Sequence, residues 1–206
     1  MEQECPTRIT HPVYLESIMG RPDHTRRTLL DAAVGVLSKD SAASLSMVAE
    51  TAGVGRTTLH RYFPTRELLI RALVEDALDR VAEAIASAHP DEGPVIDALQ
   101  RVTDTVVPLG PSLSFLHAEP EVYNARDLIR RWYEALEPVS DAIERGQADG
   151  SLRDDLPVKW VVDAYAGAIL TAWDTADEGR IWLQDAPRLV MATIVHGIAT
   201  PSQDSP

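Results

Sequence analysis

The chain has 206 residues, 45% of them hydrophobic and 25% charged, and its formal net charge is −13 at pH 7. These proportions are ordinary for a soluble globular protein, and no stretch approaches the roughly 18 apolar residues of a membrane span. A single cysteine, Cys5, excludes an internal disulfide and a multi-cysteine metal site. The first residues lack the pattern of a secretory signal, so we expect a cytoplasmic protein with no membrane partner.

The charge is distributed unevenly along the chain. Residues 1–74 contain nine basic and eight acidic residues, whereas residues 75–206 contain ten basic and 24 acidic residues. Only the near-neutral N-terminal part therefore suits contact with phosphates. The acidic remainder would weaken any non-specific attraction to a nucleic acid.

Residues 1–22 contain three prolines and little periodicity, and they are predicted to form a flexible arm. The pattern from Arg26 onwards is helical, with no convincing alternating strand. The predicted helices cover about residues 26–37, 45–52, 55–62, 65–89, 95–107, 113–117, 121–148, 158–176 and 186–199. We therefore expect an all-α protein of about nine helices.

Local signals mark several helix ends. Ser44 or Ser46 is a suitable N-cap for the second helix, and Thr65 for the fourth. Pro138 falls inside the predicted helix 121–148 and is expected to kink or split it.

One segment in the N-terminal part has the spacing of a helix-turn-helix. Such a unit needs a small residue where its helices cross, a glycine for a left-handed turn, and an inward apolar residue on the second helix. Ala49, Gly53 and Leu59 meet these needs at intervals of four and six residues. The second helix would then present Arg56, Thr57, His60 and Arg61 outwards, and such side chains bond to bases or phosphates. The spacing alone also occurs in helical hairpins that only pack together.

The surrounding residues resemble the TetR family of transcriptional regulators. The resembling runs are RRTLLDAA from Arg26, SMVAETAGVGRTTLHRYF from Ser46 and RELL from Arg66, and they lie within one stretch of about 45 residues. The remaining two-thirds match only in helical character and in the turn GSLRDDL that starts at Gly150. After the predicted arm at 1–22, the resemblance implies a DNA-binding domain at 23–70 and an effector-binding and dimerisation domain at 71–206.

The chain departs from the family pattern at two places. His60 replaces the tyrosine that usually follows the Thr-Leu pair, so a contact to the DNA backbone would be lost or would depend on histidine protonation. The family also favours a glycine between its first two helices, where this chain has Asp40 among other residues. Asp40 tolerates a left-handed conformation, so we expect the fold to be retained.

The resemblance implies DNA contacts for particular side chains. Arg56 and Thr57 would face the bases, with Arg56 suited to a bidentate contact with guanine. Contacts along the groove wall or the phosphates would come from Arg27, Ser46, Thr58, His60, Tyr62 and Arg66. Arg61 is as readily interpreted as a solvated surface side chain.

In the same family the C-terminal helices form a dimer and enclose a cavity for a small effector. Small and apolar residues of the last two predicted helices suit a four-helix interface between two copies, although they also suit packing within one chain. These residues are Ala164, Gly167, Ala168, Thr171, Ile194, Val195 and Ile198. The candidates for lining the cavity are Phe115, His117, Trp132, Tyr133, Tyr165 and Trp173.

The expected function is a repressor that binds a near-palindromic operator as a homodimer and is released by a small-molecule effector. An activator, or a regulator without an effector, is a variant of the same hypothesis. The alternative from another class is a helical ligand-binding or adaptor protein whose N-terminal hairpin is only structural. An enzyme is disfavoured because the sequence lacks the nucleophile, phosphate-loop and zinc motifs of the common classes, and no cofactor or metal is expected.

Overall fold

The computed structural model describes residues 21–110 and 125–198, and these form eight α-helices and two short 3₁₀ turns. The helices are α1 (Arg21–Leu37), α2 (Leu45–Thr51), α3 (Arg56–Tyr62), α4 (Arg66–Ser87), α5 (Val95–Val106), α6 (Arg126–Ala148), α7 (Val158–Asp177) and α8 (Ala186–Ile198). The predicted all-α class is confirmed. The short helix predicted at 113–117 lies outside the described residues.

Two elements differ from the prediction. Helix α1 begins at Arg21, inside the range 1–22 that the sequence assigns to an arm; residues 1–20 lie outside the described part. Helix α6 continues through Pro138 without being split. Proline removes one N–H from the helix, which leaves the carbonyl of Glu134 without its usual partner. Because Pro138 and Glu134 are both exposed, water can satisfy that carbonyl.

The first three helices pack into a small head. Buried residues from each of them, including Leu29, Val48 and Leu59, share one core. The predicted caps are present, since Ser44 Oγ accepts the Met47 N–H at 3.4 Å. Thr65 Oγ1 likewise accepts the Leu68 N–H at 3.3 Å at the start of α4.

The link between α1 and α2 does not use a left-handed aspartate. Among the described residues other than glycine, His89 alone has a positive φ. The side chain of Asp40 instead accepts the Ala42 N–H at 3.0 Å. This side-chain bond imitates a backbone turn, so the link closes without a glycine.

Helix α4 joins the head to the helical body. Its 22 residues span about 33 Å, and its buried side chains contribute to the core along the whole length. In the body α4 packs against α5 and α6, while α7 packs against α8. A movement of α4 relative to the body would therefore also move the head.

Candidate DNA-binding surface and effector cavity

The turn between α2 and α3 has the geometry that the spacing predicts. Gly53 has a φ of +66°, a conformation that side chains disfavour. The Val54 N–H donates to the Ala49 carbonyl at 3.0 Å and closes the turn. Ala49 and Leu59 are 2% and 1% exposed, so the two helices meet closely at these positions. Residues 45–62 thus form a helix-turn-helix.

The outer face of α3 is polar and basic. Arg56, Thr57, His60 and Arg61 are exposed, as the helix periodicity predicts. Arg56 has no ion pair or hydrogen bond with any residue that the structure describes. Its guanidinium is consequently available for an external acceptor.

Aromatic rings support two of the basic side chains on the head. The Arg61 guanidinium carbon lies 5.3 Å from the centre of the Tyr62 ring. The Arg26 guanidinium carbon lies 5.8 Å from the centre of the Phe63 ring. Stacking of this kind reduces the freedom of a long side chain while its charge stays at the surface.

The remaining candidate DNA contacts occupy mixed environments. Thr58, Tyr62 and Ser46 are half-buried. His60 is exposed, and its Nδ1 lies 3.4 Å from the Pro64 carbonyl. A proton on Nδ1 would allow a weak hydrogen bond there, which leaves Nε2 for other partners.

Two of the predicted phosphate contacts are engaged inside the protein. The Arg27 guanidinium donates to Asp76 of α4 at 2.7 Å and lies 3.0 Å from Asp31. Arg66 donates to the Ser41 carbonyl at 2.5 Å and to the Ala43 carbonyl at 3.2 Å. Both arginines therefore hold parts of the head in place, and a phosphate would compete with these partners.

Three of the six predicted cavity residues line one cleft in the body. Trp132 of α6 and Tyr165 and Trp173 of α7 meet there. Tyr133 points to the surface instead, where the Lys159 ammonium lies 4.0 Å from its ring centre. Phe115 and His117 lie outside the described residues.

Aliphatic residues form most of the cleft wall, and no sequence signal distinguishes them from ordinary core residues. They are Val81, Ile85, Val102, Val106, Leu136, Ala166 and Ile169. Each belongs to the apolar stripe of its own helix, so periodicity alone indicates burial and not the neighbour. The cleft therefore lies between α4, α5, α6 and α7.

The polar atoms of the cleft already have partners. The Tyr165 hydroxyl donates to the Leu99 carbonyl at 3.0 Å and lies 2.8 Å from the Thr103 hydroxyl. Burial raises the pKa of Tyr165 well above its ordinary value, so the phenol stays neutral. The Trp173 indole donates to the Val107 carbonyl at 3.0 Å. The cleft therefore presents rings and aliphatic groups, with no charged side chain among its described lining residues.

The cleft is nearly closed. Its volume is about 10 Å³, which is the lower limit for one water molecule. Drug-sized ligands occupy pockets of roughly 300–1,000 Å³. Binding of an aromatic molecule would thus require the walls to separate.

The predicted dimer residues divide into two groups. On α7, Ala164 and Thr171 are exposed, and Gly167 and Ala168 are half-buried. On α8, Ile194 and Ile198 are buried within their own chain, and Val195 is half-buried. The exposed small residues of α7 leave a face that another helix can approach closely.

The described residues contain no group of three or more histidine, cysteine, aspartate or glutamate side chains arranged to hold a metal ion. None of the described helices is long and apolar enough to cross a membrane.

Comparison with known proteins identifies relatives over most of the chain. Residues 29–73 match the model of the bacterial regulatory proteins of the tetR family. The HTH-type transcriptional repressor LfrR of Mycolicibacterium smegmatis is 33% identical over 183 residues, which cover 88% of this chain and 94% of that protein. The HTH-type transcriptional regulator NfxB of Pseudomonas aeruginosa is 25% identical over 87% of this chain and 97% of its own.

Solved structures agree with the sequence matches. The crystal structure of the TetR-like regulator LfrR from Mycobacterium smegmatis in complex with proflavine has a TM-score of 0.73 and 31% sequence identity. The superposition covers 86% of this chain and 99% of that structure. The helix-turn-helix at 45–62, the helical body and the match to LfrR along almost the whole chain lead to one conclusion: the protein belongs to the TetR family of DNA-binding transcriptional regulators.

Proposed function

We propose that this chain is a repressor that binds a near-palindromic operator as a homodimer and leaves it when a flat aromatic effector enters the cleft. One relationship carries the proposal. Helix α4 is packed against the helix-turn-helix head at one end and contributes Val81 and Ile85 to the cleft further along. A change of shape in the cleft can therefore alter the position of the head.

DNA recognition is proposed for the outer face of α3. Arg56 and Thr57 would read base edges, and His60, Arg61 and the half-buried Thr58 and Tyr62 would contact the groove wall or phosphates. Ser46 of α2 is proposed as a further phosphate contact. Arg27 and Arg66 would reach phosphates only by leaving their internal partners.

A homodimer is proposed through the outer faces of α7 and α8. The exposed Ala164 and Thr171, with Gly167 and Ala168 beside them, suit close helix packing against a second copy. A two-fold dimer would place its recognition helices in successive major grooves, roughly 34–36 Å apart. The operator should then consist of two inverted half-sites.

The proposed effector class follows from the chemistry of the cleft. Its rings and aliphatic walls suit a planar apolar molecule, and its polar atoms have no spare donor for a specific anion. Ring faces also attract cations, by about 0.5–2 kcal/mol. The relative LfrR has been crystallised with proflavine, an aromatic compound, which makes proflavine a suitable probe for this chain.

A gel-shift and footprinting experiment tests the proposal. The full chain is mixed with DNA from upstream of its own coding region, at low salt, with and without proflavine. We expect a protected inverted repeat whose occupancy falls when proflavine is added. Absence of a shift at low salt would favour a helical adaptor whose hairpin is only structural. A shift that no aromatic probe reverses would contradict the proposed effector class.

A further inference from the structure

Two ion pairs join α4 and α6 in addition to their apolar contact. Arg71 of α4 pairs with Asp127 of α6. Arg131 Nη2 of α6 lies 2.6 Å from Asp79 Oδ1 of α4. The positive charge belongs to α4 in the first pair and to α6 in the second. We call these contacts the α4–α6 ion pairs.

The cleft continues along the same two helices. Val81 lines it two residues after Asp79 on α4, and Trp132 lines it directly after Arg131 on α6. On both helices the ion-pair residues precede the cleft residues in the N-terminal to C-terminal direction. Any movement that separates the walls of the cleft therefore acts on the neighbouring ion pairs.

The wall of the cleft that Trp173 of α7 forms is less able to move. Trp173 is held by its hydrogen bond to the Val107 carbonyl, and its ring lies against the backbone of Gly110. The cleft of about 10 Å³ must enlarge many-fold to accept a three-ring aromatic molecule, and the boundary between α4 and α6 is one place where its walls can separate. The α4–α6 ion pairs oppose that step.

We propose that the α4–α6 ion pairs form a latch that keeps the cleft closed and so sets the effector concentration to which the regulator responds. The inference rests on the effector role proposed above. The apparent affinity of a ligand is its intrinsic affinity reduced by the fraction of molecules in the open state. Neutralising one partner of the latch raises that fraction, and effector binding becomes tighter although no residue of the cleft has changed.

The test measures proflavine binding to the full chain by fluorescence titration. We expect Asp79→Asn to bind proflavine about two- to fivefold more tightly than the wild type, a modest factor because exposed ion pairs are weak. The double variant Asp79→Arg with Arg131→Asp restores a pair of opposite charges and should return the affinity towards that of the wild type. A purely structural contact would not give tighter binding on its removal.

Glu134→Gln is the matched control. It removes the acidic partner of Arg130, whose Nε lies 3.4 Å from Glu134 Oε1 within α6, and it leaves the boundary with α4 unchanged. Its proflavine affinity should equal that of the wild type. Unchanged or weaker binding by Asp79→Asn, or equal tightening in Glu134→Gln, would overturn the latch.

A second measurement separates the latch from the effector class. If the wild type does not bind proflavine, the proposed effector class fails, and the latch is then judged by amide hydrogen exchange without ligand. Faster exchange across residues 126–136 in Asp79→Asn, but not in Glu134→Gln, would support it. Equal exchange rates in both variants would refute it.

Discussion

Gly110 and Trp173 are in such close contact that no side chain fits between them. A Cβ atom added to Gly110 would lie 2.6 Å from Trp173 Cγ and 2.7 Å from Trp173 Nε1. The indole is also anchored by its hydrogen bond to Val107. A residue without a side chain thus allows Trp173 to form one fixed wall of the proposed effector cleft.

Substitution of Gly110 by alanine should disturb effector binding before it disturbs DNA binding. The new methyl group would displace the indole and lower the free energy of unfolding by about 1–3 kcal/mol. We expect the affinity for proflavine to fall about tenfold, or about 1.4 kcal/mol, while the operator is still bound without ligand. Both affinities are measured by fluorescence titration.

Gly146→Ala is the control for this substitution. A Cβ on Gly146 would lie 2.6 Å from Val95 Cγ1, so it overpacks the body at a site that does not line the cleft. If Gly146→Ala reduces proflavine affinity as much as Gly110→Ala does, the effect reflects general destabilisation and the specific role of Gly110 is wrong.

Alanine substitution at two glycines of the head should change the free energy of unfolding in opposite directions. Both have open space around a Cβ, but Gly53 has a φ of +66° whereas Gly35 lies within helix α1. Gly53→Ala should lower the free energy of unfolding by about 1–2 kcal/mol through backbone strain. Gly35→Ala should raise it by about 0.5–1 kcal/mol. Urea denaturation gives both values. Stability changes of the same sign in the two variants would contradict the left-handed conformation assigned to Gly53.

Arg56→Ala should weaken specific operator binding by about 1–3 kcal/mol and relax the base preference at one position of each half-site. Arg130→Ala removes an exposed arginine from α6, far along the chain from the head, and should change neither quantity. Affinities for operator and scrambled DNA are compared at one fixed salt concentration. Unchanged affinity and base preference in Arg56→Ala would remove this residue from the proposed DNA contacts.

The contact between head and α4 predicts a salt-dependent stability. Asp76 accepts Arg27 at 2.7 Å and lies 2.8 Å from Arg80 Nε, so Asp76→Asn leaves two arginines to share Asp31. We expect a loss of about 1 kcal/mol in the free energy of unfolding at low salt and a smaller loss at high salt. Glu83→Gln is a suitable control on the same helix. A loss that does not change with salt would argue against an electrostatic role for Asp76.

Tyr165 should make the protein less stable at alkaline pH. Burial raises the pKa of its hydroxyl in the folded state, whereas the unfolded chain has a tyrosine pKa of about 10. Above that pH the folded state binds more protons than the unfolded state, so the free energy of unfolding falls as pH rises. This stabilising contribution is complete below about pH 10.

Tyr165→Phe should lack that part of the alkaline dependence and lose about 1 kcal/mol near neutral pH, because two hydrogen bonds disappear. Tyr133→Phe, at an exposed ring, should keep the wild-type dependence. Urea denaturation between pH 8 and pH 11 tests the pair. Identical alkaline slopes for wild type and Tyr165→Phe would show that burial of this hydroxyl has no such effect.

The amino-acid sequence by itself determined the helical class and the helix-turn-helix. Ala49, Gly53 and Leu59 act within a segment of 11 residues, where packing and backbone conformation depend mainly on near neighbours. The caps at Ser44 and Thr65 were predictable for the same reason, since each bonds three residues further on. Local sequence did not predict the outcome at Pro138, because the helix continues where the exposed Glu134 carbonyl is accessible to water.

Only the tertiary structure decided which side chains meet across helices. Arg27 and Asp76 are 49 residues apart, and Arg131 and Asp79 are 52 apart, so no local pattern links them. Periodicity marks an apolar stripe but not the helix that it faces, which is why Trp132 lines the cleft while its neighbour Tyr133 lies at the surface. The recognition motif is thus a property of the local chain, and the cleft and its ion pairs are properties of helix packing.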